Sequence, residues 1–170
     1  MRRSYLRFFI IIFFILIITP LKSEEKVTFL NLDAVLNNSK IGMNIVKKLN
    51  DLKNLNLKQI NDKKEIIKKK EKDLINKKNI LSKEEFETSL IALQKEVGNF
   101  NNEKNKKEID YETIKKKELD NFTKKITPLI EDYIIENSIS LVVNQNNIFI
   151  GKKKYDITND IINLIDNNLK

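Results

Sequence analysis

Leu81-Ser82-Lys83-Glu84-Glu85-Phe86, LSKEEF in one-letter code, is the stretch on which the fold turns. Its S-x-x-E spacing lets the serine hydroxyl accept the amide hydrogen of the third helical residue, while the glutamate reaches back to the serine's own amide. Leu81 and Phe86 occupy the two positions of a hydrophobic staple around that cap. A helix is therefore expected to begin at Ser82, inside a region that holds one glycine, Gly98, and no proline from Leu52 to Thr127. Lys77 and Lys78, just upstream, suit the C-terminus of a preceding helix. Two long helices joined by so short a connection fold back antiparallel. The expectation is a helical hairpin with helix one over 40–78, a tip near 79–82 and helix two over 83–137. At about 1.5 Å per residue its arms reach about 50 Å or more.

The hairpin needs a seam. In helix two, Phe86, Leu90, Leu93, Val97 and Phe100 follow a 4-3-4-3 spacing suited to a coiled coil. Lys104 and Lys107 then occupy seam positions before the rhythm resumes at Tyr111 and Ile114. Helix one is thinner, with Ile60, Ile67, Leu74 and Leu81 at seven-residue intervals. Its run NDKKEIIKKKEKDLINKKN, 61–79, sets eight lysines against four acids and resembles a polyanion grip. However, the apolar residues of the run fall mainly on one stripe, and Glu65–Lys69 and Asp73–Lys77 are favourable i,i+4 pairs. The lysines read as the solvated sheath of one arm, with Ile66 pointing off the stripe.

Outward from the hairpin the composition changes. KVTFLNL at 26–32 reads as a strand, Asp33 as a helix cap, and Ser39-Lys40 as a second helix start. Pro128 lies late in helix two, where a kink could mark the junction of arm and body. SISLVVNQNNIFIG at 138–151 holds two β-rich runs, Ile139–Val143 and Ile148–Ile150, about an Asn/Gln turn, and predicts a β-hairpin. Asp156 or Thr158 is the expected cap of a last helix carrying Ile157, Ile161, Leu164 and Ile165 on one side. Three short strands and one helix cannot close a sheet or bury much apolar surface, so self-association is expected. Val27, Phe29, Leu141, Val142, Val143, Ile148 and Ile150 are the residues expected to build that oligomerisation body.

The start, MRRSYLRFFIIIFFILIITPLKS, has a basic head, an apolar stretch from Phe8 to Ile18 and a small Ser23. That layout predicts a signal peptide over 1–23, with an uncleaved anchor as the alternative; the apolar stretch is well short of the roughly 20 residues that span a bilayer. Export to the periplasm follows as the expected location. The expected division is then a body of 24–46 and 126–170 and an arm of 47–125. The arm carries 22 lysines and 15 acids, whereas the two body segments together carry 6 lysines and 9 acids. Beyond the leader, every cation is a lysine.

These features weigh against two classes of function. With no histidine, no cysteine and no Gly-rich phosphate loop, the chain offers no catalytic constellation, metal site or cofactor site, so an enzyme is not expected. Nucleic-acid binding is also disfavoured by export, by the lack of arginine in the mature chain and by the lack of aromatics within the lysine run.

Two segments carry a resemblance. VTFLNLDAVLNNSKIGMNIVKKL near the mature start and ISLVVNQNNIFIGKKKYDITNDIINLIDNN at the end are similar to the Skp/OmpH-like periplasmic chaperones. The shared features are Lys40, Gly42 and Leu49 leading into the arm, then Leu141-Val142-Val143, and Asp156-Ile157-Thr158 opening the last helix. The resemblance implies an α+β fold: a small β-containing oligomerisation body bearing a long antiparallel helical hairpin (a tentacle), three copies forming a jellyfish-like homotrimer. It further implies an ATP-independent holdase for unfolded outer-membrane β-barrel proteins, with contact to anionic lipid or lipopolysaccharide as a further partner. A coiled-coil envelope scaffold is the alternative. Ile66, Lys69, Lys70 and Ile109 are the candidate client-facing residues of the arm; Ile60, Ile67, Leu74, Ser82, Glu85 and the Phe86–Phe100 stripe are assigned to seam and cap.

Overall fold

The structure, a computed structural model, describes residues 25–169, and the expected leader lies outside them. In chain order it comprises β1 (Lys26–Leu30), α1 (Leu32–Asn38), α2 (Lys40–Asn76), α3 (Lys83–Glu136), β2 (Ile139–Asn144) and α4 (Thr158–Asn168). Single 3-10 turns lie at Gln145–Asn147 and Lys153–Tyr155.

β1 and β2 pair in parallel, with Val27 beside Leu141, Thr28 beside Val142 and Phe29 beside Val143. Parallel strands need a long crossover, and here the whole helical hairpin is that crossover. The other edge of β1 is taken by Asp156, which bridges Phe29, and by Ile157, whose N–H donates to the Phe29 carbonyl at 3.0 Å. The second half of the expected β-hairpin does not form: Ile148–Ile150 is not a strand within the protomer. The 3-10 turn after Asn144 steers the chain away from the outer edge of β2. Ile148 and Ile150 instead border a hollow with Val27 and Phe29.

Capping explains where the helices start. The first cap is Asn31 rather than Asp33: Asn31 keeps extended backbone at the end of β1, and its Oδ1 accepts from the Ala34 N–H at 2.8 Å. Asp33 already lies in the first turn, where its charge suits the helix N-terminus. Ser39 ends α1 and caps α2, its buried Oγ accepting from the Gly42 N–H at 3.3 Å. Gly42 is needed there because a Cβ would stand 2.0 Å from the Leu36 carbonyl oxygen. At the tip the capping box is complete: the Glu85 N–H donates to Ser82 Oγ at 3.3 Å, and the Ser82 N–H donates to Glu85 Oε2 at 2.9 Å. The N-cap of α4 is Ile157, while both expected capping residues act on each other beside it. Asp156 Oδ1 accepts from the Thr158 N–H at 3.0 Å and from its hydroxyl at 2.5 Å.

The core lies where the two chain ends meet the root of the arm. Val35, Ile126, Ile161 and Ile165 are fully buried, and Leu30, Phe122 and Ile139 pack with them. Burying each such side chain is worth about 1.5–3 kcal/mol. Phe122 and Ile126 belong to α3, which runs through Pro128 to Glu136. The body therefore draws two core side chains from the arm helix itself. With 37 and 54 residues, α2 and α3 extend about 55 and 80 Å at about 1.5 Å per residue.

Candidate functional site

Two surfaces stand out, one on the body and one along the arm. On the body, alternation along the strands puts Thr28, Leu30 and Val142 toward the core. Val27, Phe29, Leu141 and Val143 take the outer face. Val27 and Leu141, side by side in register, are about half exposed. Phe29 is on the same face but buried, because Gly151 lies against its ring: a Cβ on Gly151 would come 2.8 Å from Phe29 Cε1. A hollow of about 260 Å³ opens there, lined by Val27, Phe29, Ile148, Ile150 and Tyr155. Phe149 is fully exposed and Ile150 nearly so. Among the described residues no strand covers the outer edge of β2. An apolar face, an open edge and a loose apolar run thus adjoin on one small body.

Along the arm the seam is half-buried rather than buried. Ile60, Ile67, Leu74, Phe86, Leu93, Val97 and Phe100 all retain partial exposure, and Leu90 more than a third. Polar contacts supplement this thin seam. Lys48 Nζ meets Glu118 at 2.5 Å, Lys70 Nζ meets Glu96 at 2.6 Å, Lys107 Nζ donates to Gln59 Oε1 at 2.6 Å, and Lys63 pairs with Glu103. All four keep one register: the 11 residues from Lys48 to Gln59 match the 11 from Lys107 to Glu118, and the 7 from Lys63 to Lys70 match the 7 from Glu96 to Glu103. The hydrogen bond from Lys63 holds the Glu103 carboxyl below the ordinary carboxylate range, and that from Lys48 does the same for Glu118.

The four candidate client-facing residues are placed differently. Ile66 is 53% exposed and borders a groove with Ile67 and Phe100, while Ile109 is 66% exposed beside Thr113 and Lys116. Lys69 is exposed. Lys70 is engaged across the hairpin with Glu96, so its charge is shared with the arm's own closure. The structure adds exposed isoleucines that the sequence reading did not single out as candidates: Ile75, Ile80, Ile91 and Ile135, each at least 65% exposed. It also adds Glu96, Glu103, Glu118 and Gln59 as partners of the arm lysines. For the three glutamates the sequence signal was the opposite charge at mirrored distances from the tip, which becomes readable only once the register is known; Gln59, being neutral, carried no such signal.

The family model described as outer membrane protein (OmpH-like) matches residues 26–165. A crystal structure from Caulobacter crescentus CB15, provisionally assigned as an outer membrane chaperone (OmpH-like), shares the fold with a TM-score of 0.75. The match covers 89% of this chain and 90% of that one at 14% identity. No curated protein matches the chain in sequence.

Proposed function

The chain belongs to the OmpH-like family of outer membrane proteins, and from that premise we propose that it is an ATP-independent periplasmic holdase for unfolded outer-membrane β-barrel proteins. The observation that carries this reading is the scatter of exposed isoleucines along the arm, Ile66, Ile75, Ile91 and Ile109, spread over its charged surface rather than gathered into one pocket. An unfolded membrane barrel exposes alternating apolar residues and aggregates in water. Separated apolar contacts hold such a chain by many weak bonds, each exchanging quickly while the sum is tight. The lysines add attraction to anionic segments and, in the same way, to anionic lipid or lipopolysaccharide. Ile66, Lys69 and Ile109 are assigned client contact on this reading, with Lys70 available only when it leaves Glu96.

Self-association into a homotrimer completes the proposal. Val27, Leu141 and Ile150 offer exposed apolar side chains for another copy to cover, and the outer edge of β2 is left unpaired by any strand among the described residues. The leader at 1–23 would deliver the chain to the periplasm.

Light scattering on the mature protein, alone and mixed with an unfolded outer-membrane barrel, tests both parts. The expected result is a trimer that suppresses barrel aggregation at stoichiometric amounts. A monomer that leaves aggregation unchanged would overturn the reading. Selective capture of one folded envelope protein would favour a scaffold instead.

A further inference from the structure

Between Phe100 and Tyr111, α3 half-buries two side chains, Glu103 and Lys107, and exposes the rest of that stretch. Toward the tip the corresponding half-buried positions include Leu93, Val97 and Phe100; toward the root they include Tyr111 and Ile114. The flanks carry ion pairs too, Lys70–Glu96 toward the tip and Lys48–Glu118 toward the root. There, however, apolar half-buried residues of α3 stand beside them, whereas in the middle only Glu103 and Lys107 are half-buried. Both charged side chains reach α2: Lys107 Nζ donates to Gln59 Oε1 at 2.6 Å, and Glu103 accepts from Lys63. Opposite them α2 half-buries Asn56 and Ile60, a single apolar residue. A hollow of about 360 Å³ lies alongside, lined in part by Leu57, Ile60, Lys107 and Tyr111.

Such a stretch responds to salt differently from its neighbours. Exposed ion pairs are worth about 0–1 kcal/mol and are screened by salt, whereas apolar contacts are not weakened by it. We propose that 56–63 of α2 and 103–111 of α3 form an ionic clasp in the middle of the arm. As ionic strength rises the two helices part there, opening the half-buried Ile60 and Tyr111 to solvent, while the tip half and the root, held by apolar contacts as well as ion pairs, stay paired. The clasp rests on the arm's own geometry and holds whatever the arm binds.

The chain contains no cysteine, so cysteine pairs can place spin labels cleanly. Asn61→Cys with Asn105→Cys spans the clasp, and Lys72→Cys with Gln94→Cys spans the tip half in the same register. Mature labelled chain, diluted into unlabelled chain, is measured by pulsed electron-spin distance spectroscopy between 0.1 and 1 M NaCl, where the screening length falls from about 10 Å to about 3 Å. The 61–105 distance should lengthen and broaden while the 72–94 distance stays fixed. Glu103→Leu with Lys107→Leu makes both half-buried positions apolar and should abolish the response. Glu103→Gln should show the high-salt distribution already at 0.1 M, with helix content by circular dichroism confirming that the chain is folded. A 61–105 distance indifferent to salt, equal broadening at both pairs, a salt response surviving in the leucine variant, or an unaltered low-salt distribution in Glu103→Gln overturns the clasp.

Discussion

The backbone N–H of Asn31 donates to Thr158 Oγ1 at 3.0 Å, joining residues 127 positions apart in the chain. Asn31 caps the first helix and Thr158 begins the last, so one bond fixes the two chain ends against each other. The same hydroxyl donates to Asp156 Oδ1, which makes Thr158 the polar centre of the body's closure.

Two threonine-to-valine substitutions should therefore differ in sign. Thr158→Val removes a hydroxyl that both donates and accepts, and leaves the Asn31 N–H without its partner. It should cost about 1–3 kcal/mol. Thr28 Oγ1 is buried without a hydrogen-bond partner among the described residues. Thr28→Val keeps the shape and removes that orphan, and should stabilise the body by about 1 kcal/mol. Urea titration of the assembled protein reads both.

The α1–α2 corner is steric. Gly42→Ala would press a methyl into the Leu36 backbone at 2.0 Å, a contact that neither helix can relieve by a rotamer change. Its cost should reach or exceed the upper end of the ~1–3 kcal/mol usual for overpacking. Ser39→Ala loses a cap only and should cost about 1 kcal/mol. Thermal melts of the two variants should rank in that order.

Truncation should separate body from arm. Ile126→Ala empties a fully buried site where arm root meets body, with an expected loss of about 2–5 kcal/mol. Ile80→Ala, at the exposed tip, should change stability by less than about 0.5 kcal/mol. Comparable losses from both would mean that the tip is covered in the assembled protein.

The tip should fray in acid. The Ser82 hydroxyl, and after it the Ser82 amide, hold the Glu85 carboxyl below the ordinary carboxylate range. A carboxyl whose folded pKa is lowered stabilises the fold above its unfolded value, and that contribution is lost as pH falls through the folded one. Amide-exchange protection at Glu85 and Phe86 should therefore drop below the ordinary carboxylate range while Ile161 and Ile165 remain protected. Ser82→Ala should already be unprotected at neutral pH and insensitive to the change.

The parts of this protein that were legible in its sequence are those set by neighbours along the chain. Ser82, Glu85, Leu81 and Phe86 announce the start of α3 because a capping box and staple involve residues within one turn. The 4-3-4-3 stripe from Phe86 to Phe100 announces a partnered helix face for the same reason. The cap of α1 lies two residues before the expected one: Asp33 has the right chemistry, but β1 ends early enough for Asn31 to take the position.

Tertiary structure decided the rest. Ile148–Ile150 has a strand's composition, yet whether such a run becomes a strand depends on finding an open edge, and the turn at Gln145–Asn147 carries it across β1 instead. Lys70 reads as a solvated charge until the register brings Glu96 to 2.6 Å. Residues within one turn of each other meet in any helix, so sequence alone fixed the capped, amphipathic arms. Residues 26 to 127 positions apart meet only in one closed topology, so the parallel sheet, the register of the arm and the Asn31–Thr158 bond belong to the tertiary structure.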